Sequence, residues 1–171
     1  NLKFYQGFVR SLMQELVGTT TIEYQGQTLD FGKDFNRINY VERLTEILGF
    51  NFLDIDNPDE LKEKIIAKGL FTANDLEDYH SLSQIIDFVY KRTIRANITE
   101  PISYLFETLP LAVTGFTLGY YKIIDVFQVV AGGTELCKAY SELVNPITQR
   151  EAFEAQLVAK EQGDDETMEI D

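Results

Sequence analysis

The sequence predicts an α+β domain: antiparallel strands flanked by helices, with a helical insert between sheet segments. Three observations predict it. Apolar residues recur at spacings of three and four over residues 2–17 and 82–95, the period of an amphipathic helix. Short runs of β-forming residues flank the turn pairs Gln25-Gly26 and Gly132-Gly133, as in hairpins. Between these regions, residues 34–80 carry successive helix start and stop signals. A chain of 171 residues is long enough for one packed domain, or a core with a small lobe. The boundaries expected are 1–33 for a core helix and hairpin, 34–80 for the insert, and 81–171 for the remaining core.

The first helix spans Leu2 to Val17, with Tyr5, Phe8, Val9, Leu12, Met13, Leu16 and Val17 on its apolar face and Gly18 as C-cap. Thr20–Tyr24 and Gln27–Phe31 form a short hairpin around Gln25-Gly26. From Asp34 the pattern turns helical. Asn39, with Glu42 three residues on, makes a capping box for Val41–Leu48, closed by Gly49. Asn57-Pro58-Asp59-Glu60 places a cap, then Pro at the first helical position, then acids on the positive end of the dipole; this helix runs to Lys68 and stops at Gly69. A polar stretch from Thr72 to Ser81 leads into a helix over Leu82–Arg95 with Leu82, Ile85, Ile86, Val89, Tyr90 and Ile94 on one face. Beyond Asn97 the periodicity becomes strand-like: Ile98, Ile102 and Tyr104–Phe106, then the apolar run Ile123–Val130, then Thr134–Leu143 after the Gly132-Gly133 turn. Asn145-Pro146 opens a last helix to Lys160 with Phe153 and Leu157 inward.

Composition narrows the classes of function. Hydrophobic residues make up 44% and charged residues 25%, the balance of a globular protein. A formal charge of −13 argues against an independent nucleic-acid binder, because neutralising phosphates needs a basic surface. Asp164, Asp165, Glu166, Glu169 and Asp171 concentrate part of that charge in an acidic end. One cysteine, Cys137, excludes an intrachain disulfide and fits a reducing, cytoplasmic compartment. No apolar run approaches the roughly 20 residues of a membrane span. Asn1 in first place suggests a segment of a longer polypeptide.

The chemistry concentrates in Gly133-Thr134-Glu135-Leu136-Cys137-Lys138-Ala139-Tyr140-Ser141-Glu142-Leu143, followed by Pro146, Gln149-Arg150 and Phe153. Glu135 and Glu142 lie seven residues apart on one expected strand. A carboxylate buried without a partner is costly, so such acids face solvent, a metal or a cationic ligand. The run resembles the late catalytic segment of class II lysyl-tRNA synthetases, Gly-x-Glu-Leu-x-Asn-Ala-Tyr-Ser-Glu-Leu-Asn-Asp-Pro. The likeness extends on both sides. Val17-Gly18-Thr19-Thr20 and Gln25-Gly26 through Gly32 and Phe35 resemble the family's hairpin after motif 2. Asn97-Ile98-Thr99-Glu100-Pro101 resembles its strand entry, and Ala159-Lys160, Gly163 through Glu166 and Met168 resemble the acidic turn before motif 3.

The resemblance implies a middle slice of a class II catalytic domain, an antiparallel sheet segment lying between motif 2 and motif 3. The parent activity implied is ATP-dependent activation of lysine and its transfer to tRNA, with Mg2+ as cofactor, and the slice alone is expected to be inactive. Glu142 then receives the ε-ammonium of substrate lysine, Lys138 and Tyr140 line the same substrate site, and Glu135 and Glu142 hold the magnesium that bridges ATP phosphates. The alternative is a non-catalytic, synthetase-like interaction domain. Departures from the family pattern are Lys138 for Asn, Val144-Asn145-Pro146 for Asn-Asp-Pro, Val113 for the basic residue after Pro-Leu-Ala, and Val126 for an Arg.

Each position also has a plainer reading. Glu142 can be a solvated strand acid, and Lys138 either pairs with a carboxylate, repels a lysine substrate, or snorkels at an exposed edge. Strict alternation places Lys138, Tyr140 and Glu142 on one strand face and Glu135 on the other, so convergence needs a bulge, or Glu135 at the very start of the strand. His80 reads as a surface or cap residue, Cys137 as a small core hydrophobe, and Phe8, Phe88, Phe127 and Phe153 as packing residues. Asp54, Asp56, Asp59 and Glu60 lack the ligand pattern of a cation loop and suit a helix N-terminus.

Overall fold

A computed structural model describes residues 2–98, 104–106, 108–110, 123–140, 144–147, 149–151 and 153–154. Helix α1 covers Leu2–Leu16. Its end is closed by Val17 N and Gly18 N donating to Met13 O and Gln14 O, with Gly18 at φ +77°. Strands β1 (Thr21–Tyr24) and β2 (Gln27–Asp30) form an antiparallel hairpin. Gln25 and Gly26 both take positive φ, 51° and 76°, which matches the turn to the right-handed twist of the strands.

Val9 and Met13 of α1 pack on Leu29 and Phe31 of the hairpin and Ala131 of the sheet, and Arg10 ties α1 to the loop beyond by donating to Phe31 O (3.1 Å) and Asp34 (2.9 Å). The apolar face read from the sequence is wider than the face this packing covers. Phe8, expected as a packing residue, is 51% exposed, and Phe4, Leu12, Leu16 and Val17 are exposed with it. A helix laid on a two-stranded hairpin can bury only one narrow stripe.

Residues from Asp34 onward, read as helical, begin instead with strand β3 (Asn36–Ile38), paired in parallel with β4 (Tyr104–Phe106). Three residues are too few to show a period, and their partner lies far along the chain. The helices that follow obey their signals. Helix α2 (Tyr40–Leu48) is capped by Asn39 Oδ1, which accepts from Glu42 N, and ends at Gly49 with φ +75°. Helix α3 (Pro58–Ala67) starts at Asn57, whose side chain accepts from Asp59 N and Glu60 N. Helix α4 (Leu82–Thr93) opens with a reciprocal capping box of Ser81 and Gln84.

These helices share one apolar core. Tyr40, Leu44, Leu48, Leu61, Ile65, Leu76, Ile85 and Val89 are fully buried and cluster with Val126 and Val130 of the sheet. Each fully buried aliphatic side chain contributes about 1.5–3 kcal/mol relative to exposure. Phe88 is buried as expected, edge-on to Phe71 at 4.9 Å between ring centres.

Strand β6 (Ile123–Ala131) is the hub of the sheet. It pairs antiparallel with β4, with β5 (Thr108–Pro110) and with β7 (Thr134–Tyr140). The architecture is therefore mixed helix and sheet, and among the described residues the pairs are antiparallel except for β3–β4. Residues 146, 147, 149–151, 153 and 154 are helical, opened by Asn145 Oδ1 accepting from Ile147 N at 3.0 Å. Among the described residues no helix is long and apolar enough to cross a membrane.

Candidate functional site

The site is built on the β6–β7 hairpin. Gly132 and Gly133 make its turn with φ +56° and +72°, values that L side chains rarely adopt. A Cβ on Gly132 would also lie 3.0 Å from the Tyr24 ring, so the turn approaches the β1–β2 hairpin closely. Arg95, just beyond α4, donates from Nε to Gly133 O at 2.9 Å and pins the turn from the helical side.

The register of β7 against β6 shifts once. Lys138 lies opposite Gln128 and Cys137 opposite Val129, but Glu135 lies opposite Val130, so Leu136 is an extra residue in the ladder. That bulge changes which face each side chain takes. Residues directly opposite one another project to the same face of a pair, so Glu135 joins Gln128 and Lys138 instead of facing away. Strict alternation along β7 had separated Glu135 from Lys138. The hydrogen bonds agree with the bulged register: Gln128 Nε2 donates to Glu135 Oε2 at 2.6 Å, and Gln128 Oε1 accepts from the Tyr90 hydroxyl at 3.0 Å.

Burial gives this small network its electrostatic character. Gln128 is 5% exposed, a polar side chain in an otherwise apolar strand. Burial pushes the Tyr90 phenol far above its ordinary range; Arg95 opposes that rise, while Glu135 and Asp87 add to it. Arg95 and Glu135 are therefore both electrostatic neighbours of the Tyr90 hydroxyl. On the strand's other face Cys137 meets Tyr5 of α1. Burial raises the thiol, the Tyr5 hydrogen bond partly offsets that, and the Tyr5 phenol is raised mainly by its own burial.

The predicted residues fare as follows. Glu135 and Lys138 are half-buried on one face of the hairpin. Tyr140 holds a register position opposite Val126. Glu142 and Val113 lie outside the described residues, as does Leu157. Val126, where the resemblance expects an arginine, is 3% exposed and part of the helical core. Cys137, expected in the core, is only half-buried. His80 is exposed, and its backbone N–H donates to the capping residue Gln84. Asp59 and Glu60 stand at a helix N-terminus, as read.

Among the described residues no group of three or more His, Cys, Asp or Glu is placed to hold a metal ion. Glu135 supplies one carboxylate there. Magnesium commonly takes one or two carboxylates, filling its remaining positions with water and substrate phosphates, so the donor chemistry of Glu135 fits that ion in part. Sequence reasoning missed Gln128, Tyr90 and Arg95. A lone amide inside the run Ile123–Val130 was the available signal.

No family model matches the chain. The chain is similar over nearly its whole length to proteins named lysine–tRNA ligase. It is 28% identical over 170 residues to that of Staphylococcus aureus strain MW2, covering 97% of this chain and 33% of that protein. Against the lysine–tRNA ligase of Trichormus variabilis it is 27% identical over 169 residues, covering 97% of this chain and 29% of the relative. The chain thus spans about a third of the length of the relatives it matches.

Proposed function

We propose that this chain is a segment of the class II catalytic domain of a lysine–tRNA ligase, carrying one wall of the lysine and magnesium site. Similarity to lysine–tRNA ligases along 97% of the chain supports the family. The observation that carries the site is the bulge at Leu136, which puts Glu135 on the face of Lys138 and at the register that leads to Tyr140. In this reading Glu135 binds the cation, Glu142 completes the carboxylate pair and receives the lysine ammonium, and Lys138 and Tyr140 flank the substrate. Magnesium, when bound with ATP, stabilises the charge that develops at phosphate during adenylate formation. Carboxylates suit a lysine ammonium because a charge-assisted hydrogen bond is strong where water is excluded. Cytoplasmic location and tRNA as final acceptor belong to the same proposal.

The isolated chain is inactive on this reading. Its sequence has no stretch resembling the family's two arginine-bearing motifs, and Arg95, the arginine at the β6–β7 turn, donates to Gly133 O. The experiment is a graft of residues 1–171 in place of the corresponding third of the Staphylococcus aureus ligase, titrated calorimetrically with lysine. Binding that disappears in Glu142→Gln is expected. Equal affinity with and without that carboxylate would remove the lysine site from this strand.

A second reading, a non-catalytic interaction domain, rests on the exposed stripe Phe4, Phe8, Leu12 and Leu16 of α1. Exposed contiguous apolar surface marks contact with another surface. A graft that folds yet binds no lysine would favour it.

A further inference from the structure

The amide of Gln128 sits where an apolar side chain would pack more cheaply, since it is 5% exposed among Val126, Val129 and Val130. A buried amide is tolerated only when hydrogen-bonded, and here both ends are. We infer that Gln128 and Tyr90 are positioning residues for Glu135: the Tyr90 hydroxyl fixes the Gln128 amide, and the amide holds one carboxylate oxygen so that the other is presented to a divalent cation. The inference deepens the proposed function and rests on its reading of Glu135 as a cation ligand.

The direction of the chain of bonds follows from the donors available. A carboxylate can only accept, so the amide nitrogen must face Glu135, and Gln128 Nε2 lies 2.6 Å from Oε2. The amide oxygen then faces Tyr90, whose hydroxyl must donate, and that contact is 3.0 Å. A flipped amide would set an oxygen against the carboxylate, which has no proton to donate, while the phenol could pair with either end. The Glu135 carboxylate thus sets the amide orientation, and the Tyr90 hydroxyl holds the amide in it by donating to the amide oxygen.

Oε2 is engaged by this bond, and Oε1 is the oxygen left for a ligand. Two residues before Glu135, the Gly133 carbonyl is fixed by Arg95 at 2.9 Å. Tyr90 on α4 and Arg95 just past it therefore hold the hairpin at two points, one backbone and one side chain. Groups of this kind around a metal-binding carboxylate set its orientation, and their loss typically weakens metal affinity about 10–100-fold.

Manganese serves as the probe for the 171-residue chain, because its paramagnetism broadens nearby amide resonances even when binding is weak. Broadening at Gly133 to Leu136 is expected in the unaltered protein and should vanish in Glu135→Gln. Gln128→Leu should need about tenfold more manganese for the same broadening. Tyr90→Phe, which removes one oxygen and keeps the ring, should shift the titration in the same direction, and it serves if Gln128→Leu fails to fold. A manganese titration unchanged in Tyr90→Phe but abolished in Glu135→Gln overturns the positioning role and leaves the cation reading intact. No broadening in the unaltered chain removes the cation reading. The positioning is then decided by cross-relaxation between the Gln128 amide protons and the Glu135 side chain. Its presence and loss in Tyr90→Phe supports the hold, and its persistence in that variant overturns it.

Discussion

Lys138 stands opposite Gln128 on the strand face that also carries Glu135. Lysine–tRNA synthetases, by the resemblance, keep a neutral amide at this position. A fixed ammonium near a bound lysine adds repulsion: two unit charges ~6 Å apart at an effective dielectric near 20 interact by roughly 3 kcal/mol before screening. Solvent and salt reduce that severalfold without changing its sign. In the grafted ligase, Lys138→Asn should tighten lysine binding, read by calorimetry as a lower Kd. A Kd that rises instead would make Lys138 a contributor to the site. Glu135 and Lys138 stand out in the sequence because acids and a base in an apolar strand are anomalous by composition. Their shared face was not legible, because a bulge is a property of pairing between two strands. Gln128 was overlooked because one amide among valines carries little weight until its partners Tyr90 and Glu135 are seen.

Tyr90 offers a pH test at the same scale. Its folded phenol titrates above the unfolded value, mainly through burial, so the folded state holds its proton more tightly. Stability from this group is fully present below the unfolded value, near 10, and falls as pH rises beyond it. The urea midpoint should therefore begin to fall near pH 9, where the raised Cys137 thiol starts to count, and drop more steeply above about 10. Tyr40 and Tyr5, whose phenols are also raised by burial, add to the same fall, so Tyr90→Phe should flatten the slope in part. A drop of equal steepness in that variant would assign the effect elsewhere.

Among the elements, the helices were read well because their signals are local. Asn57-Pro58 and Gly69, or Asn39 and Gly49, fix a helix end within a few residues of chain. Strand β3 was missed because its hydrogen bonds come from β4, and the exposed face of α1 was missed because amphipathicity cannot say how wide the surface beneath will be. The separable insert proposed for residues 34–80 turns on the packing of its short helices, which depend on tertiary contacts for stability. Hydrogen exchange should show weaker protection at Lys62 to Lys68 than at Ile123 to Val130. Equal protection would mean that the shared core with Val126 and Val130 makes one cooperative unit. At the other hairpin, Gly132→Ala puts a methyl at φ +56° and 3.0 Å from Tyr24, so a loss of about 1–3 kcal/mol is expected from urea unfolding. An unchanged midpoint would show that the turn relaxes freely.

For the molecule as a whole, the chain matches about a third of each lysine–tRNA ligase it resembles. The β6–β7 hairpin, pinned by Arg95 and braced through Gln128, presents a carboxylate, yet the chain holds no arginine motif to grip nucleotide phosphates. Isolated residues 1–171 should give background ATP–pyrophosphate exchange with lysine. The graft, carrying the remaining two thirds of the Staphylococcus aureus ligase, tests the central claim most directly through lysine-dependent ATP–pyrophosphate exchange. Exchange above background in the graft carrying Lys138→Asn, lost when Glu135→Gln is added, is the predicted result. Exchange that survives Glu135→Gln, or a folded graft silent even with Lys138→Asn, would contradict the account.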